Sequence, residues 1–424
     1  MVVHHIREQV FLKNNNFFLN ISIIAKLDTY KSNRGIAQPG SASALGAEGR
    51  GFESLCPDHQ IYLLEKITEL CLEYIMGRVR DFKPDIYLTD KDFKEIREIF
   101  HTPLTGSYNW DYTAADDKIN RLYQLAKKRQ WDVEIDLDWS QKWDKNKATL
   151  EEDFIVNHQS FLGYQPYLDL SDDKKLEIQK KLSAWTLSQF LHGEQGALLV
   201  ASQLCSCAPT YNAKLYAATQ TYDEARHVEA FNKYIQTRQG MMYPITPDLK
   251  DLLDKILTDE RWDLKFIGMQ LVIEGLALGA FKAIQLSYPD NLLKELIQKV
   301  IQDESRHVTF GIHYLEQHIK SLSEEEKKER TQFAYEACVV MRHRFHPVEV
   351  YQDFGWNVEE TIKYDETVKI RKDFQEFLFQ RVIPSLKRVG LLTEDIRPKF
   401  QELGVLQWED YDDEDIDWKE AQSA

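Results

Sequence analysis

Two copies of one short pattern carry most of the chemistry that this sequence can perform. The first copy reads Asp-Glu-Ala-Arg-His-Val from Asp223, and the second reads Asp-Glu-Ser-Arg-His-Val from Asp303, which is 80 positions later. A further glutamate stands 30 positions before the glutamate of each copy, at Glu194 and at Glu274. Residues three apart share a helix face, so the glutamate and the histidine of each copy can reach one ion together.

The spacing within each copy predicts an antiparallel helical hairpin. Pro209 and Pro289 each lie midway between the two glutamates of one copy, and a proline is a natural end for a helix. Each glutamate then lies about 22 Å from its turn on either arm, because a helix rises about 1.5 Å per residue. Two such hairpins packed together would bring four carboxylates and two imidazoles to one point.

Together the two copies offer six side chains of the kinds that bind metal ions. A glutamate from each of two helices plus Glu-x-x-His from each of the other two is the donor set of di-iron and di-manganese bundles. Carboxylates with imidazoles suit iron or manganese better than zinc or calcium, and burying these groups without metal would be costly. We expect Glu224 and Glu304 to bridge the ions and to be the catalytic pair. The predicted ligands of two iron ions, with Fe/Mn or Mn/Mn as alternatives, are Glu194, Glu224, His227, Glu274, Glu304 and His307.

An aspartate and an arginine recur beside the predicted ligands in both copies. A carboxylate commonly accepts the free N–H of a metal-bound imidazole, so Asp223 and Asp303 are predicted to hold the histidine of the opposite hairpin. Arg226 and Arg306 would balance these buried aspartates. The alternative for all four residues is salt bridging on a helix surface. Recurrence of the whole tetrad favours the first interpretation.

Long amphipathic helices predict an all-α fold, a four-helix bundle with additional flanking helices. The first of these helices begins near Asp172 and the fourth ends near Leu322. Between them, Thr246 and Pro247 have the residue types of a helix cap and a first helical position, and the third long helix ends before Pro289. No segment shows a convincing strand pattern.

Five segments are expected along the chain, of which the third is the di-metal bundle. A non-native or disordered extension and a helical and loop addition precede it, and packed helices and an acidic tail follow it. The extension lacks periodicity and resembles a peptide translated from a transfer-RNA gene, which would put the true start near Met76. The alternative is an ordinary flexible extension. The five segments are 1–59, 60–171, 172–322, 323–407 (with helices expected around 327–344 and 366–388) and 408–424.

Charge and cysteine content restrict the partners and the compartment. The formal net charge of −16 argues against nucleic acid and anionic membranes as partners. The acidic tail is either a solvated end or a docking patch for a basic partner. The apolar stretch 17–25 is too short to cross a membrane. Five cysteines at irregular spacing do not form a disulfide framework, which predicts a reduced, cytoplasmic protein; they are Cys56, Cys71, Cys205, Cys207 and Cys338.

The repeated Asp-Glu-x-Arg-His tetrad resembles the ribonucleotide-reductase-like branch of the ferritin superfamily. It looks most like the hydroxylase subunits of bacterial multicomponent monooxygenases, and the resemblance covers roughly residues 172–322. It implies a ferritin-like bundle in which the six residues above bind iron and the two aspartates support the histidines. Phe231 stands where the reductases carry a radical-forming tyrosine, and Leu278 where the monooxygenases carry a threonine. Val300 stands where the arylamine N-oxygenases of this superfamily add a histidine.

The predicted activity is O₂-dependent oxygenation or oxidation of a small, largely apolar, aromatic or amine substrate. The alternative is a non-oxygenase, either a ferroxidase or a ligand-binding di-metal oxidase. Electrons would come from a reductase or a ferredoxin, because the sequence carries no flavin, nicotinamide or iron–sulfur motif. The chain could form a homodimer. Seven residues within about one helical turn of the ligands could line an apolar pocket, namely Phe190, Ala197, Phe231, Ile273, Ala277, Leu278 and Phe281.

Overall fold

A computed structural model describes residues 97–113, 116–142 and 160–411 of the chain. The chain divides into two units, Met1–Arg80 and Asp81–Ala424, and all of the described residues belong to the second unit. Within these ranges the residues form helices, turns and connecting segments, without strands. The prediction of an all-α fold is therefore confirmed.

Four long helices dominate the described residues, and shorter helices precede and follow them. In chain order the helices are α1 (Asp117–Lys128), α2 (Gln165–Leu168), α3 (Asp172–Cys207), α4 (Tyr211–Tyr234, continued by a π-helical segment at Ile235–Gln239), α5 (Pro247–Thr258), α6 (Trp262–Ser287), α7 (Asn291–Ser321), α8 (Glu324–His343), α9 (Val348–Asp353), α10 (Val358–Asp365), α11 (Lys369–Leu378), α12 (Val382–Val389) and α13 (Arg397–Glu402), followed by a 3-10 turn at Leu406–Trp408. The four long helices are α3, α4, α6 and α7.

The four long helices form two antiparallel hairpins that pack into a bundle. Pro209 lies in the turn between α3 and α4, and Pro289 lies in the turn between α6 and α7. The side chains of Ser171, Thr210 and Asp290 accept backbone N–H groups in the first turns of α3, α4 and α7. Each such cap stabilises a helix by about 1 kcal/mol. The predicted ferritin-like four-helix bundle is confirmed.

The third long helix begins later than the sequence suggests. Thr246 and Pro247 start a separate helix, α5, and α6 begins only at Trp262. Between them Asp259 Oδ1 accepts the backbone N–H of Arg261 at 2.9 Å. A local side-chain bond of this kind competes with the helical ladder, so it interrupts the helix. The helix expected around 366–388 is likewise split, into α11 and α12.

Helix α6 runs through the interior of the fold. By length and composition it could cross a membrane, but 94% of its apolar stretch is buried inside the fold. A core helix meets the same criteria, so this is weak evidence for a membrane span. Residues Ile267–Ile273 of this helix are π-helical and lie directly before Glu274. Such turns are rare and frequently occur at functional sites.

The shorter helices cover the bundle on several sides. Helix α1 packs against α4 and α7, α8 packs against the π-helical part of α6, α11 packs against α6, and α12 packs against α7. Cys205, Cys207 and Cys338 are free thiols, whereas Cys56 and Cys71 lie outside the described residues. The described cysteines are therefore consistent with the expected lack of a disulfide framework.

Candidate metal centre

Six buried side chains from the four bundle helices converge at one level of the bundle. Glu194 comes from α3, Glu274 from α6, and each of α4 and α7 contributes a Glu-x-x-His pair. None of the six residues is more than 6% exposed. The structure thus brings together all of the residues that the sequence analysis predicts as ligands.

The donor atoms divide into two overlapping groups of four residues. Within each group one ligand atom per residue lies within 4.8 Å of the others. Glu224 and Glu304 belong to both groups, whereas each remaining residue belongs to one. Two ions would therefore share these two carboxylates. The groups are Glu194, Glu224, His227 and Glu304, and Glu224, Glu274, Glu304 and His307.

Both imidazole rings direct Nδ1 into the carboxylate cluster. His227 Nδ1 lies 3.2 Å from Glu194 Oε2 and 3.2 Å from Glu304 Oε1. His307 Nδ1 lies 3.1 Å from Glu224 Oε1 and 3.4 Å from Glu304 Oε2. Nitrogen and oxygen donors of the two groups therefore face a common centre, which is the geometry that a bound ion needs.

Several donor atoms at this centre are buried and have no hydrogen-bond partner among the described residues. They are both carboxylate oxygens of Glu224, Oε2 of Glu274, Oε2 of Glu304 and Nδ1 of His307. A buried acceptor without a partner costs about 1–3 kcal/mol, and more when it is charged. Cations at the centre would satisfy these atoms, so the donor set fits a dinuclear metal centre.

The burial and the charge of these carboxylates also indicate a dinuclear metal centre. Burial raises the pKa of Glu194 and of Glu274 well above the ordinary value of a glutamate. Burial also opposes ionisation of Glu224, but the adjacent imidazoles of His227 and His307 outweigh it and lower the pKa of Glu224. With the two adjacent aspartates, six carboxylates stand against the two guanidinium groups of Arg226 and Arg306. Two divalent cations would balance the charge that remains when all six are ionised.

Each aspartate of the repeated tetrad lies against the histidine of the opposite hairpin. His227 Nε2 is 3.1 Å from Asp303 Oδ2, and His307 Nε2 is 3.3 Å from Asp223 Oδ2. An ionised aspartate at this distance accepts the Nε2–H bond, which leaves the unprotonated Nδ1 free for an ion. The two contacts cross between the hairpins and tie α4 to α7.

Both arginines bridge the two aspartates. Arg226 donates to Asp223 Oδ1 at 2.6 Å and to Asp303 Oδ2 at 3.0 Å. Arg306 donates to Asp223 Oδ2 at 3.1 Å and also to Asp303 Oδ1. All four side chains are buried, at 3% exposure or less. The alternative of salt bridges on a helix surface is therefore wrong for these residues.

Two residues in the segment after α1 contact the aspartates, and the sequence analysis did not single them out. Trp131 Nε1 donates to Asp303 Oδ2 at 2.8 Å, and its ring stacks on His227 with 6.4 Å between centroids. Gln130 Nε2 donates to Asp223 Oδ1 at 3.2 Å. Trp131 and Asp303 are 172 positions apart, so no local pattern links them.

The sequence analysis also did not single out Gln220 on α4, although its spacing from Glu224 could have indicated it. Gln220 Nε2 donates to Glu274 Oε1 at 2.8 Å, and Gln270 Nε2 donates to Gln220 Oε1 at 3.4 Å. Gln220 precedes Glu224 by four positions and therefore shares its helix face. The two glutamines thus form a hydrogen-bonded chain that ends on Glu274 Oε1.

A comparison with known protein families finds one family that matches more than half of this chain. The family described as P-aminobenzoate N-oxygenase AurF matches residues 113–390. The chain belongs to the AurF family. The match spans all four bundle helices and the Gln130–Trp131 segment. No curated protein matches the chain.

Solved structures that resemble the chain include R2-like ligand-binding oxidases. One variant with an anaerobically reconstituted Mn/Fe cofactor is 17% identical, with 66% of this chain and 97% of that chain covered and a TM-score of 0.42. Another variant with this cofactor is 18% identical, with 66% and 98% covered and a TM-score of 0.41. The oxidase with an aerobically reconstituted Mn/Fe cofactor is 15% identical, with 68% and 99% covered and a TM-score of 0.39.

Membership of the AurF family confirms several predictions from the sequence. The protein is an oxygenase or oxidase with a ferritin-like bundle and a dinuclear metal site, and it uses O₂ and a small-molecule substrate. Within this type, the matching family is an N-oxygenase rather than a multicomponent hydroxylase. Val300 is fully buried on α7 and offers no donor atom, so no histidine joins the site at that position.

The seven residues predicted to line an apolar pocket do not all lie at one cavity. A cavity of about 120 Å³ lies beside the bundle, and Phe190 is the one of the seven that lines it. The Phe190 ring also packs on the rings of Phe281 and Phe231, with centroid distances of 4.8 Å and 6.1 Å. These three rings lie within two turns of Glu194, His227 and Glu274 along their helices. The remaining four residues do not line this cavity, and any role near the metals stays a prediction; they are Ala197, Ile273, Ala277 and Leu278.

Proposed function

We propose that this enzyme oxygenates the nitrogen of a small aromatic amine with O₂ at its dinuclear centre. The observation that carries the proposal is the AurF-family match across a bundle whose six buried donors converge. The family is described by its action on p-aminobenzoate, an aromatic amine. The apolar cavity next to the Phe190 ring supports an aromatic substrate.

We infer that two iron ions are bound by the six converging residues, with Fe/Mn or Mn/Mn as alternatives. Glu224 and Glu304 would bridge the ions, because these two belong to both donor groups. Two terminal carboxylates and two imidazoles complete a set that suits iron or manganese. When bound, the iron ions supply the activation of O₂.

The protein side chains would hold this centre and control access to it. Asp223 and Asp303 would keep both imidazoles in the tautomer with an unprotonated Nδ1, and ion pairs with the arginines hold these aspartates in place. The rings of Phe190, Phe231 and Phe281 pack on one another, and we infer that they lie between the cavity and the donor cluster and exclude water. Rotation of the Phe190 side chain would admit a substrate ring to the centre.

We further propose an electron donor, a cellular compartment and an oligomeric state for the protein. An external reductase or ferredoxin supplies electrons, because the chain carries no flavin, nicotinamide or iron–sulfur motif. The free thiols support a reducing compartment, which we take to be the cytoplasm. A homodimer is a further expectation, and sedimentation of the purified chain tests it.

Mass spectrometry of products tests the proposed function. Full-length protein is loaded anaerobically with Fe(II), reduced chemically and mixed with ¹⁸O₂ and 4-aminobenzoate or aniline. We expect hydroxylamine, nitroso or nitro products that carry ¹⁸O. A variant with Glu224 and Glu304 replaced by alanine should give none. Consumption of O₂ without oxygenated amine would refute the N-oxygenase proposal and favour a ferroxidase or ligand-binding oxidase.

A further inference from the structure

Two buried glutamines lie one helical turn before two of the donor glutamates. Gln220 precedes Glu224 on α4, and Gln270 precedes Glu274 on α6, by four positions in each case. Both glutamine side chains are fully buried, and they join the two helices, because Gln270 Nε2 donates to Gln220 Oε1 at 3.4 Å. Gln220 Nε2 in turn donates to Glu274 Oε1 at 2.8 Å. This side of the centre is therefore polar.

The equivalent positions in the other half of the repeat are apolar. The repeat has an offset of 80 positions, so Val300 on α7 and Phe190 on α3 correspond to the two glutamines. Both residues are buried, and neither side chain has a hydrogen-bond donor. Among the described residues, Glu194 has one side-chain hydrogen bond, with His227 Nδ1 at 3.2 Å. The repeated donor set is thus supported differently in its two halves.

The bond from Gln220 fixes the orientation of the Glu274 carboxylate. An ionised carboxylate can only accept hydrogen bonds, so the Gln220 amide has to direct its NH₂ group to Glu274 and its oxygen to Gln270. The amide cannot turn over without directing its oxygen at the carboxylate. Glu274 Oε2 is buried and has no hydrogen-bond partner in the described part of the chain. The oxygen that remains for an ion is therefore Oε2.

Glu194 has no comparable restraint once an ion is bound. Its hydrogen bond involves His227 Nδ1, and a ring nitrogen that binds an ion carries no proton. Nδ1 can then no longer donate to Glu194. The residues at the positions equivalent to the glutamines offer no donor in its place. The Glu194 carboxylate can therefore rotate without losing a hydrogen bond.

The unrestrained glutamate lies on the side of the cavity. Phe190 lines this cavity and precedes Glu194 by one turn on α3, so the two side chains share a helix face. In contrast, Gln220, Gln270 and Glu274 do not line it. The difference between the two halves of the centre thus coincides with the side from which a substrate would enter.

We propose that Gln220 is a positioning residue that holds Glu274 as a ligand through Oε2 alone, whereas Glu194 moves between binding with one oxygen and with two. This inference rests on the ligand set proposed above, and it makes the two ions different. The ion bound by Glu274 and His307 keeps a fixed set of ligands. The ion bound by Glu194 and His227 can open a coordination position on the side of the cavity.

Chelator competition on the Co(II)-loaded full chain, kept anaerobic, tests this assignment without turnover. Visible absorption follows the loss of each ion and gives two affinities. We expect Q220M, which keeps the length of the side chain but removes its donor, to weaken one ion about 10–100-fold, the usual effect of losing the partner of a ligand. The other ion should keep its wild-type affinity. The matched control is Q203M, because Gln203 is a buried glutamine of α3 that donates to the backbone carbonyl of Leu257 at 3.2 Å. Q203M should change neither affinity.

A second substitution identifies the ion that Gln220 supports. Asp303 contacts His227, so D303N should act chiefly on the ion of the Glu194 side. In the double variant of D303N and Q220M both ions should be weakened, because the two substitutions act on ligands of different ions. A double variant in which one ion carries both losses and the other carries none would overturn the assignment.

The remaining outcomes separate a positioning role from a general effect on the fold. Equal weakening of both ions in Q220M would indicate a loosened bundle and overturn the inference, and so would unchanged affinities. Q270M leaves the bond from Gln220 to Glu274 in place, so it should weaken the same ion by a smaller factor, and an effect on the other ion alone would contradict the proposal. Because no turnover is measured, an absence of N-oxygenated products would refute only the proposed function.

Discussion

At the scale of single residues, the Asp-Glu-x-Arg-His tetrad performs two tasks because of helical spacing. Its glutamate and histidine point into the bundle, where the two copies meet. Its aspartate and arginine cross to the other copy, so that Asp303 contacts His227 and Asp223 contacts His307. Each metal-facing imidazole is therefore oriented by the hairpin that does not contain it. Loss of either copy should disturb both halves of the centre.

We expect the double variant Glu224→Ala and Glu304→Ala to lose both metal ions. These two carboxylates belong to both donor groups, so their removal leaves each ion with about half of its protein ligands. Metal analysis after desalting should fall from about two ions per chain to nearly none. The control Glu229→Ala, an exposed glutamate on the same helix, should retain both. Two tightly held ions in the double variant would refute the ligand assignment.

We expect Asp303→Asn to bind two metals more weakly, by about 10–100-fold, the usual effect of losing a partner of a ligand histidine. The amide keeps the shape of the side chain but removes the charge that faces His227 and Arg226. Competition with a chelator measures the affinity. Asp254→Asn is the control, since Asp254 pairs with Lys250 at the surface of α5. Equal affinities for Asp303→Asn and wild type would show that the aspartate does not support the ligand.

At the scale of helices, glycine residues allow α6 and α7, two of the helices that carry donor residues, to approach each other closely. Gly311 lies one turn after His307 on α7, and a Cβ atom there would lie 2.6 Å from Gln270 Cβ in the π-helical part of α6. Gly279 of α6 similarly meets the backbone of Leu378 in α11. The helices can therefore reach these separations only where one side lacks a side chain.

We expect Gly311→Ala to destabilise the protein by about 1–3 kcal/mol, the cost of overpacking a tight core. The clash pushes α7 away from α6, so metal content should fall as well. Gly193→Ala is the matched control, because Gly193 precedes Glu194 on α3 and no described atom lies within 4 Å of its added Cβ. That change should be neutral or stabilise the helix by up to about 1 kcal/mol. Denaturant unfolding compares both variants, and equal stability would contradict this account of the helix contact.

At the scale of the whole molecule, the segments outside the bundle complete its functional surroundings. The residues after α1 bring Trp131 to Asp303. The end of α8 and helix α11 supply Arg344 and Arg371 to the cavity that leads to Phe190. The bundle alone would therefore have neither the hydrogen-bond donor to Asp303 nor the part of the cavity wall that α11 and the end of α8 supply.

We expect a chain that starts at residue 60 to keep its metal content and its thermal unfolding temperature. Residues 1–59 show no periodic apolar face that could join a core, and they lie outside the described structure. A chain that starts at residue 143 is the contrast. It lacks α1 and Trp131, so Asp303 loses a hydrogen bond and metal affinity should fall. A large loss of metal or stability in the longer chain would show that the first segment belongs to the fold.

The sequence by itself determined the donor set, the two hairpins and the class of the fold. Helical periodicity decides which residues share a face, and the rise per residue places Glu194 and Glu224 at equal distances from Pro209. Both quantities are local, so they can be read without tertiary information. The same reasoning extends to Gln220, whose four-residue spacing from Glu224 is visible in the sequence.

Only the tertiary structure decided which distant segments meet around the bundle. The bond from Trp131 to Asp303 spans 172 positions, and the cavity joins Arg344 to the α3–α6 side of the hairpins. Such contacts arise from packing of whole elements, whose energy depends on shape and burial rather than on the order of neighbouring residues. For this physical reason the sequence predicted the donor set and its aspartate partners but not the contacts of Gln130 and Trp131 or the cavity beside the bundle.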